Sequence, residues 1–483
     1  MLFNSLEFLL FLPTIFFLYW FIYNRSIFVQ NALLLGASCL FYAWWDRRFL
    51  ILIFISAFVD YIIGWQLGQT TNKTSRRLYL TLSLSVNLGL LGIFKYYNFF
   101  VDSLMLSFET VGIPVNIHSL NVILPVGISF YTFQTLSYSI DIFRQKLQPT
   151  KSITSFFAFV SFFPQLVAGP IERASSLLPQ FERPRTFDPH QAREGMQFFL
   201  WGLFKKVVIA DTLAVQVDYI FENYTTLDSF TLFLGAIFFA FQIYGDFSGY
   251  SDIAIGVAKL FGFELMQNFA TPYFSRNIGE FWRRWHISLS TWFRDYVYIP
   301  LGGNRHGTAL YIRNILLTFV ISGLWHGANW TFILWGFLHG LYYLPLMYWQ
   351  KSKQNKVSEP TTAIVAQGKL WPTSLELRQM GLTFLFVTIA WVFFRAENIG
   401  HAITYWQRLF SWHLWAPPTG QWFPYLFLIL LFVAFEWIQR ERENPLALTQ
   451  ETPTWIRWST YMIAALLCAT FWGTPVDFVY FQF

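Results

Sequence analysis

Long apolar runs, separated by short polar stretches, make up most of the chain. Many of these runs approach the roughly 17–25 residues that a helix needs to cross a bilayer, so they predict membrane-spanning helices. The predicted spans lie near residues 8–23, 30–45, 49–68, 78–98, 121–142, 153–168, 229–245, 313–325, 329–349, 380–396, 423–438 and 457–473. The first run has no preceding Lys or Arg and no small-residue cleavage site, which favours a retained helix over a secretory signal.

Two stretches mix apolar residues with charges and predict less regular elements. Residues 196–220 carry Lys205 and Lys206, and residues 242–264 carry Asp246. We expect tilted, half-spanning or re-entrant helices there, because irregular backbone at membrane depth must pack on protein or line a wet cavity.

The polar segments are too short to hold a soluble catalytic domain. The best candidate for a flexible loop is 351–379, and the pattern shows no internal repeat. We therefore expect a single polytopic membrane domain over residues 1–483, all α-helical, with its chemistry in blocks 242–305 and 313–340.

The composition agrees with a membrane protein. Of 483 residues, 55% are hydrophobic and only 12% are charged, whereas soluble domains carry about 25% charged residues. The net charge of +6 is explained by Lys and Arg in cytoplasmic loops, so we expect no nucleic-acid partner. Cys39 and Cys468 have no metal-ligand spacing, and no H-E-x-x-H motif appears, so no metal is predicted.

The segment 311–340 contains the strongest candidate for catalysis, His326. It lies within an apolar stretch and is flanked by Trp325, Gly327 and Asn329. An imidazole with an ordinary pKa of about 6.5 accepts and returns a proton near neutral pH, as acyl transfer to a hydroxyl requires. The alternative is a structural histidine that is hydrogen-bonded across helices. Gly327 favours a helix break or a close approach of backbones.

The segment 280–300 contains a second histidine. If it is one helix, Trp282 and His286 share an apolar stripe, while the arginines point elsewhere. The alternative is an ordinary interfacial helix whose arginines reach the interface, although these arginines also suit the phosphates of a coenzyme.

A third candidate is Asp246, which is embedded among aromatics and glycines in 242–256. It either orients a histidine or pairs with a buried Lys or Arg, and the usual behaviour of buried charges favours pairing. The chain has no G-x-S-x-G nucleophile motif and no phosphate loop, which argues against a serine hydrolase and against ATP-driven transport.

Several blocks resemble the membrane-bound O-acyltransferase (MBOAT) family. FYAWW at 41–45 and FVYFQF at 478–483 narrow the similarity to the AlgI-type branch, which O-acetylates alginate and related exopolysaccharides. The family blocks are PVGISFYTFQTLSYSIDIFR (125–144), FFPQLVAGPIER (162–173), KKVVIAD (205–211), DFSGYSDIAIG (246–256), FWRRWHISLSTWFRDYVYIPLGGNR (281–305) and GLWHGANWTFILWGFLHG (323–340).

The resemblance implies a ring of tilted and re-entrant helices around a central tunnel in the bacterial inner membrane. It implies that His326 is the catalytic histidine, that His286 is a second functional histidine, and that Trp282 matches a tryptophan of a related D-alanyl transferase. Trp325, Asn329 and Asp246 are expected to support the tunnel or the substrate.

The same resemblance implies an acyl thioester donor such as acetyl-CoA, with no bound cofactor. The acetyl group is then expected to pass to extracytoplasmic acetyltransferase partner proteins and to a polysaccharide acceptor. The alternatives are an acyltransferase for teichoic acid, lipid or protein, a proton-coupled transporter, and a scaffold for a separate acetyltransferase.

Overall fold

A computed structural model describes residues 1–22, 26–113, 117–120, 123–166, 169–352, 364–417, 420–448, 452–473, 476 and 478–479. The chain divides into two compact units, residues 1–196 with 254–266, and residues 197–253 with 267–483. Every regular element in the described part is helical, which confirms the prediction of an all-α protein.

The first unit is built from short and long helices. They are α1 (Leu6–Phe17), α2 (Ile27–Asp46), α3 (Leu50–Gln69), α4 (Lys73–Leu91), α5 (Tyr97–Thr110), α6 (Ile128–Phe143), α7 (Ile153–Val160), α8 (Phe163–Leu166), α9 (Ala174–Phe181) and the start of α10 (Pro189–Phe204). Wider π-type turns occur at Leu18–Ile22 and Gly92–Tyr96, and a 3₁₀ turn at Arg47–Phe49.

The second unit contains the remaining helices, together with the end of α10. They are α11 (Asp211–Glu222), α12 (Ser229–Leu260) up to Ile253, α13 (Ile278–Arg284), α14 (Ile287–Phe293), α15 (Thr308–His326), α16 (Trp330–Ser352), α17 (Ser374–Arg395), α18 (Ile399–Leu409), α19 (Phe423–Gln439) and α20 (Thr454–Thr470). It has π-type turns at Lys205–Ala210 and Arg294–Tyr298, and 3₁₀ turns at Pro272–Phe274, Trp412–Leu414 and Gly420–Trp422.

Six helical stretches in the described residues are long and apolar enough to cross a membrane. They are Ile27–Gln69, Lys73–Thr110, Ser229–Leu260, Thr308–His326, Ser374–Arg395 and Gly420–Gln439. The prediction of a multi-pass membrane protein is thereby confirmed. The predicted span 153–168 forms only short helices, and Val167 and Ala168 lie outside the described residues.

A buried carboxylate organises polar contacts in the first unit. Asp60 on α3 accepts hydrogen bonds from Ser83 and Asn87 on α4 and from Ser139 on α6, the last at 2.8 Å. Asp60 is fully buried. Lipid offers no partner for such a group, so these hydroxyl and amide donors satisfy it and hold three helices together.

The prediction of one helix over 280–300 is wrong. α13 ends at Arg284, Trp285 is extended, and His286 has φ +43° and ψ +55°, which is the left-handed region. A residue in that region interrupts a right-handed helix, so the segment forms two short helices on either side of His286.

The end of the predicted flexible loop 351–379 is helical, because α17 begins within it. Residues 353–363 lie outside the described part of the chain. After them, the buried Arg440 guanidinium donates to the backbone carbonyls of Val365 (2.9 Å) and Ala366 (2.6 Å). These hydrogen bonds hold residues just before α17 against the end of α19.

Two glycines let α15 and α16 pack with their backbones in contact. A Cβ atom at Gly336 would lie 2.3 Å from the carbonyl oxygen of Phe319, and one at Gly323 would lie 2.2 Å from that of Phe332. Backbone atoms cannot move aside as a flexible side chain can. Close packing of this kind is typical of helix pairs in membranes, and it places the end of α15 beside the start of α16.

Gly336→Ala is expected to destabilise the protein, because its methyl group overlaps the α15 backbone and overpacking costs about 1–3 kcal/mol. The matched control is Gly381→Ala on α17, where a Cβ meets no atom within 4 Å. There alanine is expected to be neutral or stabilising by about 0.5–1 kcal/mol. The measurement is the melting temperature of the detergent-solubilised proteins; equal melting temperatures would contradict close helix packing.

Candidate active site

His326 is the last residue of α15, at a break between two helices. Gly327 is extended with φ −157° and ψ 150°, and α16 begins at Trp330. A Cβ atom at Gly327 would lie 2.2 Å from the ring of Phe332, so no larger residue fits without rearrangement. The expected helix break at Gly327 is confirmed, and it places the buried His326 imidazole at a helix end.

Asn329 contributes to this break through its amide group. Its Oδ1 accepts a hydrogen bond from the Thr331 N–H (3.0 Å), and its Nδ2 donates to the carbonyl of Glu397 (2.8 Å). Asn329 therefore caps the start of α16. Its expected role in supporting the tunnel or the substrate stays a prediction.

His286 lies at the turn between α13 and α14 and is fully buried. Among the described residues, neither of its imidazole nitrogens has a hydrogen-bond partner. Burial lowers the pKa of this imidazole well below its ordinary value, because a charged ring would lose its hydration. A neutral imidazole offers one N–H donor and one nitrogen acceptor.

The structure brings the two predicted histidines together. The centroids of the His286 and His326 rings are 6.3 Å apart. The Trp325 ring lies beside both, with centroids 6.0 Å from His286 and 5.0 Å from His326. Trp335 and Phe394 pack edge-on against His326 at 5.0 and 5.3 Å. These rings surround the histidine pair with apolar surface that excludes water.

A cavity of about 860 Å³ lies within the second unit, next to this aromatic layer. Trp282 and Ser322 are among its lining residues. Ser322 lies four residues before His326 on α15, so the two side chains share one face of that helix. The cavity therefore reaches the face of α15 that carries His326, and the indole of Trp282 forms part of its wall, but neither His326 nor His286 lines it.

Trp282 is held by a buried histidine on α16, His339. The Trp282 indole N–H donates to Nδ1 of His339 (3.3 Å), and both residues are buried. The Trp335 ring lies 4.9 Å from His339 and 5.0 Å from His326. His339 therefore connects the cavity wall to the aromatic layer around His326. In the sequence, the only indication of this role was that His339 lies four residues after Trp335, which places the two side chains on one face of α16.

Buried charged and hydroxyl groups line another part of the same cavity. Lys205 forms an ion pair with Asp252 (Nζ to Oδ2, 2.7 Å), and the hydroxyl of Tyr244 donates to Glu436 (2.7 Å). The charges of Lys205 and Asp252 stand out in the sequence, whereas Glu436 is one acidic residue in an apolar run. Its place beside Tyr244 follows from tertiary packing.

Five arginines also line the cavity: Arg283, Arg284, Arg294, Arg440 and Arg442. Arg284 pairs with Glu280 (3.0 Å), and Arg294 pairs with Asp295 (2.8 Å). The side chain of Arg283 is exposed. Guanidinium groups are well suited to bind phosphate, because they present parallel N–H donors and a permanent charge.

Asp246 is paired with a buried lysine, as the sequence favoured. Its Oδ1 lies 2.8 Å from Nζ of Lys206, which also contacts Asp211 at 2.8 Å. Its other oxygen accepts from the Val479 N–H (2.7 Å), and Lys206 donates to the carbonyl of Val476 (3.0 Å). Asp246 therefore binds Lys206 and the backbone N–H of Val479, and it makes no hydrogen bond to His286.

No three His, Cys, Asp or Glu side chains in the described part of the chain are grouped to hold a metal ion. The chemical resources of the site are two imidazoles, a ring-lined interior, a cavity and arginines at that cavity. The imidazoles suit proton transfer, and the arginines share the cavity with carboxylates that include Glu280, Glu441 and Glu443.

Comparisons with known proteins identify the family of this chain. The family model of membrane-bound O-acyltransferases matches residues 41–371. A probable alginate O-acetylase AlgI of Pseudomonas putida is 40% identical, with all of both chains covered. A peptidoglycan O-acetyltransferase of Helicobacter pylori is 38% identical over 83% of this chain and 78% of its own length. A teichoic acid D-alanyltransferase of Streptococcus thermophilus is 28% identical over 45% of this chain and 55% of its own length.

The family match covers more than half of the chain and includes both histidines and the helix break that presents His326. The chain belongs to the membrane-bound O-acyltransferase family and is a membrane acyltransferase.

Proposed function

We propose that this protein moves an acetyl group from a cytoplasmic thioester across the membrane for the O-acetylation of an exopolysaccharide, with His326 as the catalytic base. The observation that carries the proposal is the pairing of two buried imidazoles, 6.3 Å apart, beside a cavity with an arginine-lined surface. The similarity to alginate O-acetylases supports acetyl as the acyl group and alginate or a related polymer as the acceptor.

His326 is proposed to act as the general base. It is buried among aromatic rings, which limits hydrolysis of the thioester by water. In the proposed step, the acceptor hydroxyl oxygen attacks the thioester carbonyl, and His326 takes the hydroxyl proton. The carbon–sulfur bond then breaks, and the departing thiolate receives that proton, so the imidazole returns to its neutral form.

His286 is proposed to stabilise the oxyanion of the tetrahedral intermediate. Its neutral ring has an N–H to donate, and its nitrogens make no other hydrogen bond within the described residues. A donor that is already in place in an apolar site stabilises developing negative charge more strongly than water does.

The donor is proposed to be acetyl-CoA, bound in the cavity with its phosphates near the arginines. The cavity has the volume expected for a small-molecule site, which is about 300–1,000 Å³. The acyl end would then point along Ser322 and Trp282 towards His326. An acetylated carrier protein is the other thioester donor to test.

The acceptor class has two candidates, each supported by a relative. The alginate O-acetylases favour an exopolysaccharide, and the Helicobacter pylori relative favours peptidoglycan. We propose the exopolysaccharide, with extracytoplasmic acetyltransferase proteins that receive the acetyl group from this chain in the bacterial inner membrane.

His326→Ala is expected to lower polymer acetylation at least about 100-fold, because a positioned general base contributes about 10²–10⁴-fold to rate. The measurement is the O-acetyl content of the surface polysaccharide in a deletion strain complemented with each variant. His413→Ala, at an exposed histidine, is the control and should acetylate normally. Full acetylation by His326→Ala with normal polymer export would refute the proposed base.

Arg283→Gln is expected to raise KM for acetyl-CoA about ten- to hundredfold with kcat little changed, since a charge-assisted hydrogen bond contributes about 1.5–3 kcal/mol. The assay is transfer of radiolabelled acetyl from acetyl-CoA by purified protein. The control is Arg48→Gln, an exposed arginine paired with Asp46 in the first unit. An unchanged KM, or turnover only with an acetylated carrier protein, argues against acetyl-CoA in this cavity.

A deletion strain should lose O-acetyl groups from its exopolysaccharide and keep them on its peptidoglycan. Mass spectrometry of both polymers from the same cells makes the comparison. The opposite result, with acetyl groups lost from peptidoglycan alone, would assign the acceptor class of the Helicobacter pylori relative.

A further inference from the structure

The backbone of His286 has a left-handed conformation, which is unusual for a residue with a side chain. His286 has φ +43° and ψ +55° and stands at the N-terminal cap of α14. Such a conformation persists only where surrounding contacts determine it, and it is concentrated at functional sites. The two residues that follow His286 are both hydrogen-bonded to a residue 18 positions earlier in the chain, Asn268.

Asn268 satisfies the first backbone N–H groups of α14. Its backbone carbonyl accepts from the Ile287 N–H (2.9 Å), and its side-chain Oδ1 accepts from the Ser288 N–H (3.2 Å). The Ser288 hydroxyl also donates to Oδ1 (2.8 Å). The first N–H groups of a helix have no hydrogen-bond partner inside it. In most helices the side chain of the cap residue accepts a hydrogen bond from one of these N–H groups.

His286 itself makes no capping hydrogen bond with its side chain. Asn268 performs that task from outside the helix, so the imidazole of the cap residue points elsewhere. It lies instead with its ring centroid 4.5 Å from that of Phe247 and 6.3 Å from that of His326.

Asn268 is itself held in place. Its Nδ2 donates to the hydroxyl of Ser251 on α12 (3.0 Å), and both residues are fully buried. A second backbone hydrogen bond joins the same two segments, because the Ala270 N–H donates to the carbonyl of Arg284 (2.9 Å). The turn at His286 is therefore supported by the segment that begins at Asn268 and, through it, by a long helix.

We infer that Asn268 is a positioning residue for His286: it caps α14 in place of the histidine and thereby aims the imidazole at the site of His326. This inference rests on the proposed function, in which His286 stabilises the oxyanion. Asn268 does not contact substrate. Its effect on the reaction passes through the geometry of the histidine.

Asn268→Ala removes the side-chain acceptor and the contact to Ser251. With only the backbone carbonyl of residue 268 left to support the turn, we expect kcat to fall about 100-fold, the cost of a displacement near 1 Å, and KM for acetyl-CoA to stay within about twofold. The matched control is Asn398→Ala, which removes the cap of α18 (Asn398 Oδ1 to the His401 N–H, 2.9 Å) and should leave kcat unchanged. Equal kcat for wild type and Asn268→Ala overturns the inference.

The pathway through His286 is tested by combining variants. In a His286→Ala background, Asn268→Ala is expected to cause no further loss, because residues that act as a unit are not additive. If the losses of kcat caused by the two substitutions multiply in the double variant, Asn268 acts on something other than His286. That result overturns the inference and leaves the proposed role of His286 intact. Wild-type kcat in His286→Ala alone removes that role, and this inference with it.

A structural readout is independent of activity. In a cryo-electron microscopy map of full-length Asn268→Ala, the distance between the His286 and His326 ring centroids, 6.3 Å in the wild type, is expected to change by about 1 Å or more. An unchanged distance overturns the inference even if kcat falls.

If Asn268→Ala does not fold, Ser251→Ala provides the test. It removes only the hydroxyl that receives the Asn268 amide. A smaller loss of kcat, about three- to tenfold, is expected because the misplacement of the turn is smaller, and the loss should again disappear in the His286→Ala background. If Asn268→Ala cannot be measured and Ser251→Ala has the kcat of the wild type, the inference is overturned.

Discussion

Polar groups among apolar helices must be satisfied by protein, because lipid hydrocarbon offers no hydrogen bonds. The charges in this chain follow that constraint. Lys205 pairs with Asp252, and Lys206 pairs with Asp246. Asp60 is surrounded by hydroxyl and amide donors from neighbouring helices. Each of these contacts joins two different elements and fixes their relative position more specifically than hydrophobic packing does.

Two breaks in the helical backbone bring together the histidines on which the proposed function depends. One occurs at Gly327 and leaves His326 at the end of α15; the other is the left-handed turn at His286. A histidine in the middle of a continuous helix would hold its side chain against the preceding turn. At these breaks the imidazoles approach each other from different elements, within a layer of aromatic rings that keeps water away. The apolar interior that the membrane requires is also the environment that acyl transfer from a thioester needs.

Much of this was predictable where the signal is local. Apolar run length predicted membrane helices, and Gly327 beside His326 indicated either a helix break or a close approach of backbones. The preference of buried charges for a partner predicted a pair for Asp246. The segment 280–300 was predicted wrongly, because the stripe of Trp282 and His286 at helical spacing is also compatible with two short helices. Periodicity does not report a single left-handed residue, which depends on contacts made from outside the segment.

The sequence by itself determined the class of protein and its family, and it named His326 and His286 as candidate site residues. These conclusions depend on composition and on motifs of residues close together in the chain. Tertiary structure alone decided which distant groups meet. Tyr244 and Glu436 are 192 residues apart and share a hydrogen bond, and Trp282 meets His339 from 57 residues away. The cavity exists only where several elements converge. Such contacts follow from the packing of whole helices against each other, which no local pattern of residues records.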